Sequence, residues 1–342
     1  MTSRAAIAAA ARRLAPVIRH TPALRVSRDE IGLAGTPLAH LTLKLELLQH
    51  TGSFKPRGAF NRLLVARERG NFGHADVIAV PGAEGMIAAR GGAGAIAGSG
   101  GVDIIAASGG NHGAAVAFAA RSLGLAAEIF VPATTPTAKR ARIESYGARL
   151  VPVGADYAAA LAASRIRQAE TGALDVHAYD DPDVIAGQGT VGREFEQDAP
   201  DLTHVLVAAG GGGLLAGIAA WYAGSVQVIG VEPEACPTLH AARAAGRPVA
   251  VATGGIAADS LGARQAGAQV FPLIEAHVAA LVLVTEDAIA AARRLLWDRA
   301  RILAEPGGAT ALAALLCGAF VPPEGARVGV VVCGGNTGTL PD

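Results

Sequence analysis

Short apolar runs that end in glycine and reopen as helices recur along this chain, and they leave few folds open. Val102-Asp103-Ile104-Ile105-Ala106-Ala107 runs into the turn Ser108-Gly109-Gly110-Asn111-His112-Gly113, and residues 114–123 then read as a helix. Residues 205–209 run into Gly210-Gly211-Gly212-Gly213, with a helix opening at Leu214. Residues 127–131, 149–153, 226–231 and 328–333 also read as strands, and 137–146 and 157–170 as helices. Continuous apolar strands alternating with helices suit parallel sheets covered on both faces, hence an α/β fold. A chain of 342 residues is long enough for about two domains. It is 51% hydrophobic but only 4% aromatic, so the core must be built from Ala, Val, Leu and Ile. No internal repeat interrupts the pattern.

Charge and cysteine usage exclude several function classes. Lys plus Arg number 29 against 29 Asp plus Glu, with no basic stripe, so no nucleic-acid partner is expected. Cys236, Cys317 and Cys333 are scattered with no CxxC pair, which indicates neither a zinc site nor a disulfide framework and suits the reducing cytoplasm. Residues 1–14 are Ala-rich with Arg4, Arg12 and Arg13, and read as a helix rather than a signal peptide. No run reaches membrane-spanning length without glycine or charge, so no membrane partner is expected.

One lysine stands in an unusual setting. Residues 41–46 alternate like a strand, then come Thr51-Gly52-Ser53-Phe54-Lys55-Pro56-Arg57-Gly58 and a helix over 58–66. Ser53 suits an N-cap and Pro56 a first-turn position. Lys55 then lies at the positive end of a helix dipole among apolar residues, and both effects lower a lysine pKa. A neutral lysine can attack a carbonyl and form a Schiff base. Taken alone, the stretch equally suits a solvated lysine at a helix start.

Its companions change the balance. Four glycines between a buried strand and a helix make a phosphate cradle, because the backbone can approach and the free amides face the anion. The stretch lacks both the Lys-Ser/Thr of a nucleoside-triphosphate loop and GxGxxG spacing. The turn at Ser108 to His112 could hold a carboxylate on its amides, and Asn111 could bond a phenolic oxygen; a plain capping turn fits as well. His112 suits a packed neighbour of the turn as much as a base. An activated lysine, a phosphate cradle and an anion turn together suggest pyridoxal phosphate.

Seven segments in order resemble fold-type II pyridoxal-phosphate enzymes of the serine/threonine dehydratase and serine racemase group. They are Leu43-Lys44-Leu45-Glu46 through TGSFKPRGA, ASGGNHG, KRARIESYGA at 139–148, DDPDVIAGQGT at 180–190, GGGGLLAG at 210–217, AEPGGATALAAL at 304–315 and VVVCGGN at 330–336. The resemblance implies a two-domain fold, with 1–69 and 179–342 forming a large domain and 70–178 a small one, and the cofactor between them. It implies that Lys55 carries the cofactor and moves the Cα proton. Gly210, Gly211, Gly212, Gly213 and Leu214 would hold the phosphate. Asn111 would bond the ring hydroxyl, Phe54 would pack on the ring, and Cys333 would face the ring nitrogen. Ser108, with the turn residues Gly109, Asn111 and His112, would take the substrate carboxylate, and Glu305 would stand near the cofactor.

The implied function is an ammonia-lyase acting on L-threonine, L-serine or both, as a homo-oligomer, a dimer. A neutral thiol at Cys333 cannot hold the ring nitrogen protonated as aspartate would, which favours loss of a β-leaving group over transamination. Serine racemase, 3-hydroxyaspartate dehydratase and a silent ligand-binding protein are the rival readings. Racemases of this group carry a serine two residues before the asparagine, where this chain has Gly109. Residues 74–101, glycine-rich from 82, read as an insertion in a loop. No regulatory domain is expected beyond Asp342. Some relatives bind a cation beside a Glu-Pro segment; here Glu232 is kept but Thr238 replaces the second carboxylate, so no metal is expected.

Overall fold

A computed structural model describes residues 2–72 and 101–341; the expected insertion at 74–101, Gly101 aside, lies outside the described residues. The helices are α1 (Arg4–Leu14), α2 (Lys55–Glu68), α3 (Asn111–Ser122), α4 (Thr137–Ser145), α5 (Tyr157–Thr171), α6 (Pro182–Asp198), α7 (Gly213–Tyr222), α8 (Thr238–Ala245), α9 (Ala258–Leu261), α10 (Phe271–His277), α11 (Glu286–Ala300) and α12 (Pro306–Leu316). The strands are β1 (Ala23–Val26), β2 (Leu38–Lys44), β3 (Ile104–Ala107), β4 (Ala127–Val131), β5 (Arg149–Pro152), β6 (Leu174–Asp175), β7 (His204–Ala208), β8 (Gln227–Pro233), β9 (Val278–Val284) and β10 (Ala326–Val331). Among the described residues they form a six-stranded sheet ordered β1-β2-β10-β7-β8-β9 and a four-stranded sheet ordered β5-β4-β3-β6. Every pairing is parallel except β1 with β2.

The parallel pairing explains the composition. β7 is buried over Val205, Leu206, Val207 and Ala208, with helices covering the sheet. In β3 the side chains divide by strict alternation: Ile104 and Ala106 pack with α3, while Ile105 and Ala107 pack with Ala160 of α5. The alanines of α3 let it lie close to the sheet. Helix α2 is shared between the two layers, for its Ala59, Phe60, Leu63 and Leu64 join the core of the smaller sheet.

Helix α6 is wedged between α2 and α7, and two glycines make that possible. A Cβ on Gly187 would lie 2.4 Å from Arg57 O, and one on Gly189 would lie 2.8 Å from Gly217 O. The same seam holds an ion cluster built on fully buried Lys44, Glu46 and Arg57. Arg57, 0% exposed, donates Nε and Nη2 to Glu46 at 2.8 Å each, and Nη1 and Nη2 to Glu194 at 2.7 Å each. Lys44 Nζ reaches Asp198 at 2.7 Å, Glu194 at 3.2 Å and Thr21 O at 2.7 Å. Burial works against the Glu194 carboxylate, but Arg57 overcomes it and holds the carboxyl below its ordinary range. The cluster binds the first turn of α2 to β2 and α6.

Removing one partner of such a cluster strands buried charge. Arg57→Ala should therefore destabilise the chain by about 3–5 kcal/mol, read as a lowered midpoint in denaturant unfolding of the cofactor-free protein.

Candidate active site

Lys55 is the first residue of α2, so the helix begins three residues before the sequence pattern indicates. Ser53 is not its cap. The residue is extended, with φ −161° and ψ 166°, and pairs with Gly334 in an antiparallel bridge. Phe54 takes the cap position without a side-chain bond, and its amide donates to Cys333 O at 3.2 Å. The turn is thus stitched to the end of β10, and Pro56 sits in the first turn as expected. Lys55 Nζ lies 5.1 Å from the Phe54 ring centre and donates to Ala178 O at 2.8 Å. Burial pulls its ammonium down to about 8, with Cys333 and Glu305 opposing.

The next residue, Tyr179, leads to the glycine cradle. Gly210, Gly211, Gly212 and Gly213 are buried between β7 and α7, and buried Leu214 lies in the first turn of α7. A Cβ on Gly211 would meet the Tyr179 ring at 2.5 Å, and Gly212 has φ +91°, which favours glycine. Tyr179 OH is held by Gln265 O at 3.1 Å. The backbone therefore packs directly on the tyrosine, with the first amides of α7 left for an anion.

Asn111 opens α3. Its Nδ2 donates to Glu305 Oε1 at 2.7 Å, and its Oδ1 accepts from Asn336 Nδ2 at 2.6 Å. Upstream, Ser108 Oγ accepts from the Gly110 amide at 3.3 Å. A Cβ on Gly109 would lie 2.9 Å from Thr135 Cγ2 and 3.0 Å from its Oγ1. His112 is buried with Nε2 2.7 Å from Val176 O, and burial pulls its imidazole down to about 3. Its side chain faces the core, which leaves only its backbone to meet a ligand.

Helix α9 ties these parts together. Leu261 O lies 2.6 Å from a Cβ built on Gly210, and Asp259 O 3.6 Å from one on Gly110. Asp259 also pairs with Lys139 of α4 at 2.5 Å. Cys333, 4% exposed, directs its thiol to Gly307 O at 3.4 Å, and burial pushes the thiol up, keeping it protonated. Glu305 precedes α12, and burial raises its carboxyl to about 7. Glu232 stands elsewhere: its oxygens accept from the Leu239 and His240 amides at 2.7 and 2.8 Å, capping α8. Among the described residues no group of three or more metal-ligating side chains gathers.

These residues fit pyridoxal phosphate. The backbone at Gly211 admits no side chain, the lysine amine is depressed, and the thiol at Cys333 is uncharged. Sequence reasoning gave no role to Tyr179, Asp259 or Asn336. Asn336 stood inside the quoted VVVCGGN segment, and its place beside Asn111 depends on pairing across 225 residues.

Two outcomes follow. Gly211→Ala should weaken pyridoxal phosphate binding at least tenfold, because the added methyl must displace the Tyr179 ring or the cradle; equilibrium dialysis checks this. Below about pH 8 most of Lys55 carries its proton and cannot attack a carbonyl. Covalent capture of pyridoxal phosphate by the cofactor-free protein should speed up as pH rises from 6 toward 8 and then level off, as stopped-flow absorbance would show.

Comparison with known proteins places the chain in a family. The chain is 39% identical over 296 residues to an L-threonine ammonia-lyase of Geobacter sulfurreducens, covering 86% of this chain and 66% of that protein. It is 34% identical over 335 residues to a phenylserine dehydratase of Ralstonia pickettii, covering 97% and 92%. The chain thus spans just under two thirds of the ammonia-lyase. Among solved structures, a threonine deaminase from T.th. superposes with a TM-score of 0.82 at 35% identity, covering 98% of this chain and 99% of that one. Maize serine racemase superposes at 0.84 with 29% identity, covering 98% and 94%. The model of the pyridoxal-phosphate dependent enzymes matches residues 14–334. With a family match over most of its length and a fold of that kind, the chain belongs to the family of pyridoxal-phosphate dependent enzymes.

Proposed function

We propose that this protein is an ammonia-lyase that converts L-threonine to 2-oxobutanoate and ammonia, and L-serine to pyruvate and ammonia. The observation that carries the reading is the convergence of Lys55, the glycine cradle and Asn111, linked through Ala178, Tyr179 and α9. The threonine ammonia-lyase and threonine deaminase relatives support the substrate class. In this reading 1–69 and 179–342 carry the lysine and cradle, and 70–178 carries the asparagine turn. A cytoplasmic homodimer belongs to the same proposal. Among the described residues no helix is long and apolar enough to cross a membrane.

Bound pyridoxal phosphate makes the Cα–H bond of an amino acid acidic. Lys55 would hold the cofactor, and its amine would take the Cα proton of the bound amino acid. Gly210 to Gly213 and the Leu214 amide would hold the phosphate, Phe54 would pack on the ring, and Asn111 would donate to the phenolic oxygen. Ser108 and the amides around it, with Gly109 and Asn111, take the substrate carboxylate. Cys333 would present an uncharged thiol to the ring nitrogen. The electron pair left at Cα would expel the β-hydroxyl, which would leave as water with the proton that Lys55 took from Cα. The product set free would be an enamine, which in solution would tautomerise to an imine, and water would hydrolyse its C=N bond to give the keto acid and ammonia.

The racemase reading needs an acid/base group on each face of Cα. Gly109 supplies none, which favours elimination. The phenylserine dehydratase relative adds phenylserine to threonine, serine and 3-hydroxyaspartate as substrates to be compared. A silent binding protein would have no need of Lys55 as an amine.

Lys55→Ala should abolish keto-acid formation and leave no cofactor on the protein after borohydride treatment and denaturation; a mutant that keeps a covalent cofactor would refute the assignment. L-serine should yield pyruvate with little D-serine on chiral chromatography. Gly109→Ser alone collides with Thr135, so the racemised share should rise most in Gly109→Ser combined with Thr135→Ala. D-serine forming as fast as pyruvate in the wild type would overturn the lyase reading.

A further inference from the structure

The carboxamide of Asn111 is gripped from both ends. Its Nδ2 donates to Glu305 Oε1 at 2.7 Å, and its Oδ1 accepts from Asn336 Nδ2 at 2.6 Å. Asn336 is itself fixed, because its Nδ2 also donates to Thr51 O at 2.8 Å. The backbone amide of Asn336 favours the ionised Glu305 carboxyl as well. Glu305 is 5% exposed and held at the start of α12, where its own amide donates to Gly334 O at 3.1 Å. Three segments far apart in sequence therefore meet on one side chain.

The chemistry of these partners leaves the amide one orientation. A carboxylate only accepts hydrogen bonds, and an amide N–H only donates. Turning Asn111 over would set its oxygen against Glu305 and its nitrogen against the Asn336 nitrogen, so both contacts would become repulsive. The Asn111 nitrogen carries two hydrogens, and the Glu305 bond uses one of them. The second is held in the amide plane in a known direction.

We propose that Glu305 and Asn336 are positioning residues that lock the Asn111 carboxamide so that its second N–H is presented to the phenolic oxygen of pyridoxal phosphate. The inference rests on the reading that Asn111 faces that oxygen. The lock makes Asn111 an obligate donor, so the site selects a ring oxygen that accepts. A free asparagine would present either end, and half of its orientations would meet the ring oxygen with a second oxygen.

The test uses the full-length, cofactor-free protein and two ligands, pyridoxal phosphate and its 3-deoxy analogue, with Kd from equilibrium dialysis. Glu305→Gln keeps the shape but offers one accepting oxygen where the carboxylate offers two. It should weaken pyridoxal phosphate about tenfold, the scale of one hydrogen bond to a charged group, and leave the analogue unchanged. In an Asn111→Ala background the same substitution should have no further effect, since its route to the ligand is gone. Asn336→Ala should repeat the pattern, and keeps the test open if Glu305→Gln does not fold. Equal losses for both ligands, or losses that simply add to that of Asn111→Ala, would overturn the lock. If Asn111→Ala itself binds both ligands as the wild type does, the placement of Asn111 at the ring oxygen is wrong instead.

Discussion

The buried pairing of Arg57 with Glu46 and Glu194 is the constraint on which the rest depends. Arg57 lies two residues beyond Lys55, in the same first turn of α2. Its guanidinium is planar and forked, so two bidentate carboxylates fix it in position and direction. Glu46 comes from the segment after β2, and Glu194 from α6. The turn that carries Lys55 is thereby pinned to a strand of the large sheet and to a neighbouring helix. Such a cluster adds little net stability over a well-packed apolar core, because desolvation cancels much of the attraction. What it supplies is direction. A leucine at 57 could slide along its neighbours, whereas Arg57 cannot move without unpairing two carboxylates.

Glycine does the complementary work. At several close contacts between elements a glycine stands: Gly187 against Arg57 O, Gly210 against Leu261 O, and Gly211 against the Tyr179 ring. A cofactor held by amides requires such closeness, since a Cβ would push the backbone away from the anion. Rigidity from the ion cluster and proximity from the glycines are separate requirements. A chain that met only one would have a lysine pointing at an empty cradle, or a cradle with no fixed lysine.

The elements legible in the sequence were those set by local chemistry. β4 spans the residues that the apolar run indicates, and α5 and α7 begin within a residue of their turn signals. Errors arose where long-range contacts overrode local preference. Ser53 has the composition of a cap, yet pairing with Gly334 draws it into an extended bridge. β9, Val278–Val284, gave no signal as a strand because it follows α10 with no turn residue between them. At the site, Lys55, Asn111 and the glycines were legible because their residue types are unusual for the bland alternative. Tyr179 and Asn336 were not, because a tyrosine or asparagine in a loop carries no sign of its partner until the fold brings Gly211 or Asn111 beside it.

The same burial acts on three titratable groups with one result. It lowers Lys55 to about 8, raises Glu305 to about 7 and raises the Cys333 thiol, so each is pushed toward its uncharged form. For Lys55 this is activation, because only the amine is a nucleophile. For Cys333 it is restraint, because a thiol facing the ring nitrogen as proposed would, while uncharged, give that nitrogen no counter-ion. For Glu305 it sets a balance, since the ionised carboxylate can only accept and so fixes Asn111 most strictly, whereas the protonated acid could also donate. The bonds from Asn111 and the Asn336 amide work against burial and favour the ionised form. Orientation of the asparagine and ionisation of the glutamate therefore support each other, and a ligand oxygen that accepts from Asn111 strengthens both.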